Sequence, residues 1–339
     1  MHHFTKNQKL KTMNRYTVFT ILIMLITYHI PAHAVTDFPE KHAEFAKCEW
    51  VSPNGGTLLY RQYSPEVVEG EKYPLIVFLH GAGERGNDNE AQLVHDEWMT
   101  FLFGKDGRKA YAVAPQCPAD EKWVNVSWAK AETHETPEQP SDSLRMTREV
   151  VENMKKTLPV DETRIYITGL SMGGYGTFDY MIRWGDEIAA AIPLCGGADN
   201  AKLKETESLR TLGIWIFHGD QDGAVPVQRS RLAAAALKEI NPKTRYTEME
   251  GVGHDIWTPA YRHEELAKWL LEQQSVRQLA IQKFNEIRGI DDHLRHDITV
   301  KEEAEEWIVF FERNPRVLGG HADVTISKKT GEIQYFPGK

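Results

Sequence analysis

The pentapeptide Gly169-Leu-Ser-Met-Gly173 holds a serine with a glycine two residues to either side. Alone it would arise by chance in roughly one chain of this length in ten. Its surroundings are more informative: the β-branched and aromatic run Arg164-Ile-Tyr-Ile-Thr168 precedes it, and a helix-compatible segment follows from Gly173. A chain that turns sharply from strand into helix exposes the serine at the bend, and flanking glycines let other backbone approach. Ser171 is therefore the candidate nucleophile. A serine hydroxyl attacks only after a base takes its proton, and that base must be oriented by a carboxylate. On a turn of this kind acid and base follow the serine in that order, which prunes the fourteen histidines of the chain.

The acid is sought just past a later strand, where Phe217-His-Gly-Asp-Gln-Asp-Gly223 supplies two carboxylates. Asp220 follows the final glycine and suits tying down the turn. Asp222 lies further into the loop, can reach sideways to an imidazole, and is favoured. The base is sought after the next strand, in Gly251-Val-Gly-His254-Asp255, with His263 on the following helix as the rival to His254. A tetrahedral intermediate also needs two donors for its oxyanion. Met172 N–H directly follows the nucleophile, and the loop His80-Gly-Ala-Gly83 supplies Ala82, with Gly83 as runner-up. His80 and His218 each close a buried run before a glycine and read as loop-fixing groups. Substrate contacts are assigned to Glu84 and Arg85, against an internal pair bracing the same loop. Trp123 and Trp128 are further candidates for stacking on a sugar or phenolic ring, against plain packing. No metal site is expected, since histidines and cysteines lack ligand-like spacing, and the chemistry calls for no cofactor.

These loops need a scaffold. Residues 35–55 read as a polar entry segment to a strand at 57–63. Buried runs follow at 73–80 and 110–114, with a helix-like stretch at about 90–103 between them. Residues 121–142 form a polar stretch without periodicity, expected as a functional surface loop. A helix is expected from Ser143 to Pro159, then the strand before Ser171 and a helix at 173–184. Strands at 189–194, 213–217 and 244–249 alternate with helices at 227–240 and about 262–271. The fold class is α/β, with a mostly parallel sheet covered by helices on both faces and its site at the carboxyl ends of the strands. From Ser275 the rhythm breaks. A helix at 276–287, a capping box Thr299-Val-Lys-Glu302 opening a short helix, a strand at Trp307–Phe311 and a hairpin around Lys328-Lys-Thr-Gly331 make a small C-terminal α+β unit. About 65 residues are marginal alone, so this unit is expected to pack on the main domain or on a partner. The division is 1–34, 35–274 and 275–339.

Lys6, Lys9, Lys11 and Arg15 precede the apolar run Tyr16–Ile30 and then Pro31-Ala-His-Ala34, the order of a secretory signal peptide cleaved after Ala34. The run, at about 15 residues, is short for a membrane span, so no stable anchor is expected after cleavage. Removing those four cations takes the net charge from −9 to −13, which argues against a nucleic-acid partner. Export permits disulfides, yet only Cys48, Cys117 and Cys195 are present. In the fold above, the last two end strands too far apart to join, so any disulfide would involve Cys48.

Five segments stand in order: residues 75–87 with His80-Gly-Ala-Gly-Glu-Arg-Gly-Asn-Asp, Ala114-Pro-Gln-Cys-Pro118, Gly169-Leu-Ser-Met-Gly-Gly-Tyr-Gly176, His218-Gly-Asp-Gln-Asp-Gly-Ala-Val-Pro226 and Gly253-His254. Together they resemble the α/β-hydrolase superfamily, and within it the secreted phospholipase/carboxylesterase and dienelactone-hydrolase-like esterases, which include feruloyl and acetylxylan esterases. The resemblance spans about residues 50–272. It implies an acyl-enzyme mechanism with Ser171, His254 and Asp222 in the three roles, and a small-molecule or polysaccharide ester as substrate. Two alternatives are an exported prolyl-oligopeptidase-like peptidase, whose usual propeller repeat is missing here, and a binding protein on the same fold. The C-terminal hairpin lies outside the esterase pattern and resembles small immunity or peptidase-propeptide-like domains.

Overall fold

Tyr73-Pro-Leu-Ile-Val-Phe-Leu79 is buried along its whole length, the mark of a strand covered on both faces. Its side chains alternate between two apolar clusters: Leu75, Val77 and Leu79 join one, Ile76 and Phe78 the other. The computed structural model describes residues 42–128, 133–289, 292–314 and 320–338. The expected signal peptide therefore lies outside the described residues.

The strands are β1 (Ala46–Val51), β2 (Thr57–Tyr63), β3 (Tyr73–Leu79), β4 (Tyr111–Gln116), β5 (Val160–Leu170), β6 (Ala190–Leu194), β7 (Gly213–Gly219) and β8 (Arg245–Met249). They form one eight-stranded sheet in the order β1-β2-β4-β3-β5-β6-β7-β8. From β4 to β8 all neighbours are parallel, and the β1 and β2 edge is antiparallel. The helices are α1 (Thr100–Phe103), α2 (Asp142–Thr157), α3 (Met172–Trp184), α4 (Asn200–Glu205), α5 (Gln228–Ile240), α6 (Trp257–Tyr261), α7 (Leu266–Glu272) and α8 (Val276–Arg288). Apolar residues of α2, α3 and α5 fill the cluster on one face of the sheet; those of α1, α6 and α7 fill the other. Among the described residues no helix is long and apolar enough to cross a membrane.

The join between β3, β5 and α3 is tight enough to dictate glycine. A Cβ on Gly173 would lie 1.9 Å from the Leu79 carbonyl oxygen, and one on Gly174 2.2 Å from that of Leu194. Both obstacles are backbone. Gly173→Ala should therefore destabilise the fold by at least about 3 kcal/mol, read as a lowered urea midpoint.

Edge strand β1 is tied to α2 through Glu149. Its carboxylate accepts from the Trp50 indole N–H at 2.8 Å, from Asn54 at 3.0 Å and from Arg145 at 2.7 Å. Burial raises its pKa, but hydrogen bonds from Trp50, Ser52, Asn54 and Arg145 outweigh burial and hold it at about 2. The contribution of a carboxylate depressed on folding is complete above the unfolded value of about 4.3 and is lost as pH falls towards the folded one. Glu149→Gln should accordingly flatten the decline of the urea midpoint between about pH 4.5 and pH 2.

Several expectations change. Residues 46–51 form a strand inside the stretch read as polar entry, because β1 is an edge with little buried surface. The expected helix at 90–103 is broken into two short 3-10 turns and α1. Thr299–Glu302 opens no helix: it lies in β9 (His296–Glu302), whose side chains alternate in exposure and which pairs antiparallel with β10 (Glu306–Arg313). A capping-box spelling cannot outweigh a ladder of cross-strand hydrogen bonds supplied by a neighbour. With β11 (Ala322–Ser327) and β12 (Ile333–Pro337) these strands form a second, antiparallel sheet in the order β12-β11-β10-β9. Gly331 takes the left-handed conformation in the hairpin, at φ 71°. Helix α8 covers one face of this sheet, with Phe284 stacked on Phe311 at 4.1 Å between ring centres. Ser275 N–H donates to Thr163 O, and Gln278 to Asp186 O, which seats α8 against the larger sheet's body. All three cysteines, Cys48 included, are free thiols.

Candidate active site

Three loops at the carboxyl ends of β5, β7 and β8 meet at Ser171. The serine sits between β5 and α3 at φ 54° and ψ −116°, a conformation that costs a non-glycine residue about 1–3 kcal/mol. Its N–H is held by the Leu194 carbonyl at 3.0 Å and the Cys195 sulfur at 3.3 Å. That clamp keeps the hydroxyl at the apex of the turn. His254 Nε2 lies 2.9 Å from Ser171 Oγ, and His254 Nδ1 lies 2.7 Å from Asp222 Oδ2. An ionised carboxylate only accepts, so Nδ1 carries the imidazole proton and Nε2 is left to accept from the serine.

The Asp222 side chain is fully buried, whereas that of His254 is 29% exposed. Burial raises the Asp222 pKa, but hydrogen bonds from His218, His254 and the N–H groups of Val225 and Ala224 outweigh it and hold the carboxyl well below the usual range. Asp220 is engaged elsewhere, its Oδ1 accepting from Gly251 N–H at 2.7 Å. His263 is also apart from the serine, packed on the rings of Trp215 and Phe217 in the connection between α6 and α7.

Met172 is the first residue of α3, so its N–H has no acceptor within the helix. The loop after β3 reaches the same place: a Cβ on Gly81 would stand 3.7 Å from Ser171 Cβ, and Ala82 opens the 3-10 turn Ala82–Glu84. The loop is pinned from below by buried His80. Its Nδ1 meets Gly81 O at 2.6 Å, its Nε2 accepts from Cys117 N–H at 2.9 Å, and burial pushes its pKa down to about 4.

The expected substrate contacts fare differently. Glu84 and Arg85 do not pair with each other. Arg85 donates to Ala82 O and Glu121 O, while Glu84 faces His95 at 3.4 Å. Trp123 is fully buried and donates its indole N–H to His80 O at 2.9 Å, so it has no face for a ligand and serves as packing beneath the loop after β3. Trp128 is partly exposed, with Lys122 Nζ 4.8 Å above its ring. The described parts of the 121–142 segment lie against α3 and α5, where His134 stacks on Tyr175 and Arg229 donates to Ser127 O at 2.8 Å.

Two neighbours of the serine and histidine escaped the sequence reading. The half-buried Trp257 ring stands perpendicular to that of His254 at 5.7 Å, and its centre lies 4.8 Å from that of His95; the clue in the sequence was a tryptophan three residues past His254. Cys195 lies beneath Ser171 at φ 39°. Ligand atoms of Cys195, Asp222 and His254 fall within 4.8 Å of one another. The His254 and Asp222 atoms, however, are turned onto each other at 2.7 Å, closer than two ligands around one ion at about 2 Å from each. Burial also drives the Cys195 thiol well above its ordinary pKa, against the thiolate a metal needs.

The sequence is 24% identical over 197 residues to a bifunctional acetylxylan esterase/xylanase of Neocallimastix patriciarum, matching 55% of this chain and 26% of that protein. It is 29% identical over 197 residues to a poly(3-hydroxyalkanoate) depolymerase C of Paucimonas lemoignei, matching 58% of this chain and 44% of that one. The chain thus spans less than half the length of either relative. Among solved structures, a thermostable esterase superposes with a TM-score of 0.60 at 36% identity, over 68% of this chain and 63% of that one. The sequence profile of the phospholipase/carboxylesterase family matches residues 62–263, the span from β2 to beyond His254 that holds every loop of the site, and the chain belongs to that family of α/β-hydrolases.

Proposed function

We propose that this protein is a carboxylic-ester hydrolase that forms an acyl-enzyme on Ser171, with acyl esters of polysaccharide or phenolic type as its substrates. The observation that carries the reading is the continuous chain from Ser171 Oγ through His254 to buried Asp222. His254 Nε2 takes the serine proton as Oγ attacks the ester carbonyl. Charge gathers on the carbonyl oxygen, where Met172 N–H and Ala82 N–H serve as donors. Collapse of the intermediate expels the alcohol, which leaves with the proton held on His254 Nε2. Water then enters, gives a proton to His254 and attacks the acyl carbon; this second intermediate collapses to the carboxylic acid as Ser171 Oγ leaves and takes the proton back from His254 Nε2. Asp222 keeps the imidazole in the tautomer this sequence requires and stabilises the imidazolium in each half. Support for a polysaccharide ester comes from one relative, the bifunctional acetylxylan esterase/xylanase, while the poly(3-hydroxyalkanoate) depolymerase C is a relative named for a different polymer. The basic, apolar and small-residue order of residues 1–34 supports a secreted or periplasmic location.

Rapid mixing with p-nitrophenyl acetate should release a burst of about one nitrophenolate per protein before the steady state. Acetylated xylan, methyl ferulate, hydroxybutyrate oligomers and proline-containing peptide amides then rank the substrates. Amide cleavage faster than all ester turnover would replace the reading with that of a peptidase.

A further inference from the structure

His218, at the end of β7, is fully buried and absent from the acyl-transfer scheme. Its Nε2 faces two acceptors, Asp222 Oδ2 at 3.2 Å and Val225 O at 3.0 Å. A nitrogen between two acceptors must carry the proton. Its Nδ1 lies 2.7 Å from the Ser230 hydroxyl on α5, which also faces Gly196 O at 3.3 Å. The carboxylate of Asp222 is thereby surrounded: Oδ1 takes the N–H groups of Ala224 and Val225, both at 2.8 Å, and Oδ2 takes both imidazoles. Fixing the loop would require only the Val225 contact. The second contact falls on the very oxygen that orients His254.

We propose that His218 is a positioning residue of the reaction, a second imidazole that holds the Asp222 carboxylate in plane and shares its charge with His254. The proposal rests on Asp222 and His254 being acid and base. Two consequences follow. Without His218 the carboxylate keeps its donors at Oδ1 but is held at Oδ2 by His254 alone, so Oδ2 can tilt from its place and loosen the alignment of His254 with Ser171. With one donor gone, the remaining negative charge bears more fully on His254 and favours its protonated form. The other groups that face this pair are Tyr175 and Cys195 near Asp222, Asp255 beside the base, Trp257 on the His254 ring, and Glu248 of β8 near His218. None of these interposes a donor at Oδ2.

The test is the pH profile of kcat/KM for a p-nitrophenyl ester, whose acid limb reports the base of the free enzyme. His218→Leu should lower the plateau roughly ten- to hundredfold and move the acid limb up by about half to one pH unit. His218→Gln, whose amide N–H can replace Nε2–H, should bring both back towards the parent. Ser230→Ala, which leaves the ring in place but unsupported, should move the limb in the same direction by less. A loop-fixing role alone lowers the urea midpoint and leaves the limb where it was. An unmoved acid limb in every variant that folds overturns the proposal. Asp222→Asn run alongside separates the two readings: its loss of activity with an unmoved limb removes His218 only, whereas full activity removes the acid assignment as well.

Discussion

Replacing Ser171 by alanine should lower kcat for any ester substrate by about 10⁴- to 10⁶-fold while leaving the protein folded. Alanine keeps the Cβ that already fits between Gly81 and the β5 end, and it removes only the attacking oxygen. The residual rate comes from donors that stay in place at Met172 and in the loop after β3. The same position carries a second expected effect. A non-glycine residue at φ 54° is strained, so Ser171→Gly should be as inactive as the alanine variant yet more stable than the parent by about 1 kcal/mol. Measured side by side, activity and urea midpoint show a nucleophile held at the expense of stability.

Asp222→Asn should cost about 10⁴-fold in kcat at neutral pH. The direction follows from the donors around it. Two backbone N–H groups occupy Oδ1, so the asparagine oxygen must stay there and its amide NH₂ takes the place of Oδ2. That amide then meets the N–H of His254 donor to donor. His254 responds by moving its proton to Nε2, and a protonated Nε2 cannot take one from Ser171. Stability changes with pH in the same variant. Because the Asp222 carboxyl is held below the usual range, its contribution to the parent fold is present above the unfolded aspartate value of about 3.9 and is lost as pH falls below it. Urea midpoints between about pH 4.5 and pH 2 should decline less steeply in Asp222→Asn than in the parent.

How much of this could be read from the sequence depends on whether the decisive neighbour is local. Ser171 lies on the expected strand-to-helix turn because five consecutive positions carry the whole geometry. Asp222 and His254 lie in the loops after β7 and β8, each a short predicted strand followed by glycine. These three side chains come within hydrogen-bond reach of one another in the expected chain order. The parts that could not be read are pairings between distant segments. Residues 299–302 spell the start of a helix and become a strand only because β10 lies alongside. Trp123 has the composition of a ligand-facing ring, but the glycine at 176 leaves room beneath β3 for it to be buried. Glu84 and Arg85 are adjacent in sequence and yet turn to His95 and to main-chain oxygens. His218 looks in sequence like His80, a histidine closing a strand before glycine; only the position of Asp222 in the folded loop distinguishes them.

The central claim, that Ser171 is the nucleophile of an acyl-transfer site, is tested most directly by labelling. The protein is treated with a fluorophosphonate, digested, and mapped by mass spectrometry, with Ser171→Ala and His254→Ala treated in parallel. The account predicts a single phosphonyl adduct on the peptide containing Ser171, none in Ser171→Ala, and strongly slowed labelling in His254→Ala. Equal labelling of Ser171→Ala, or an adduct confined to another residue of the parent, would contradict it.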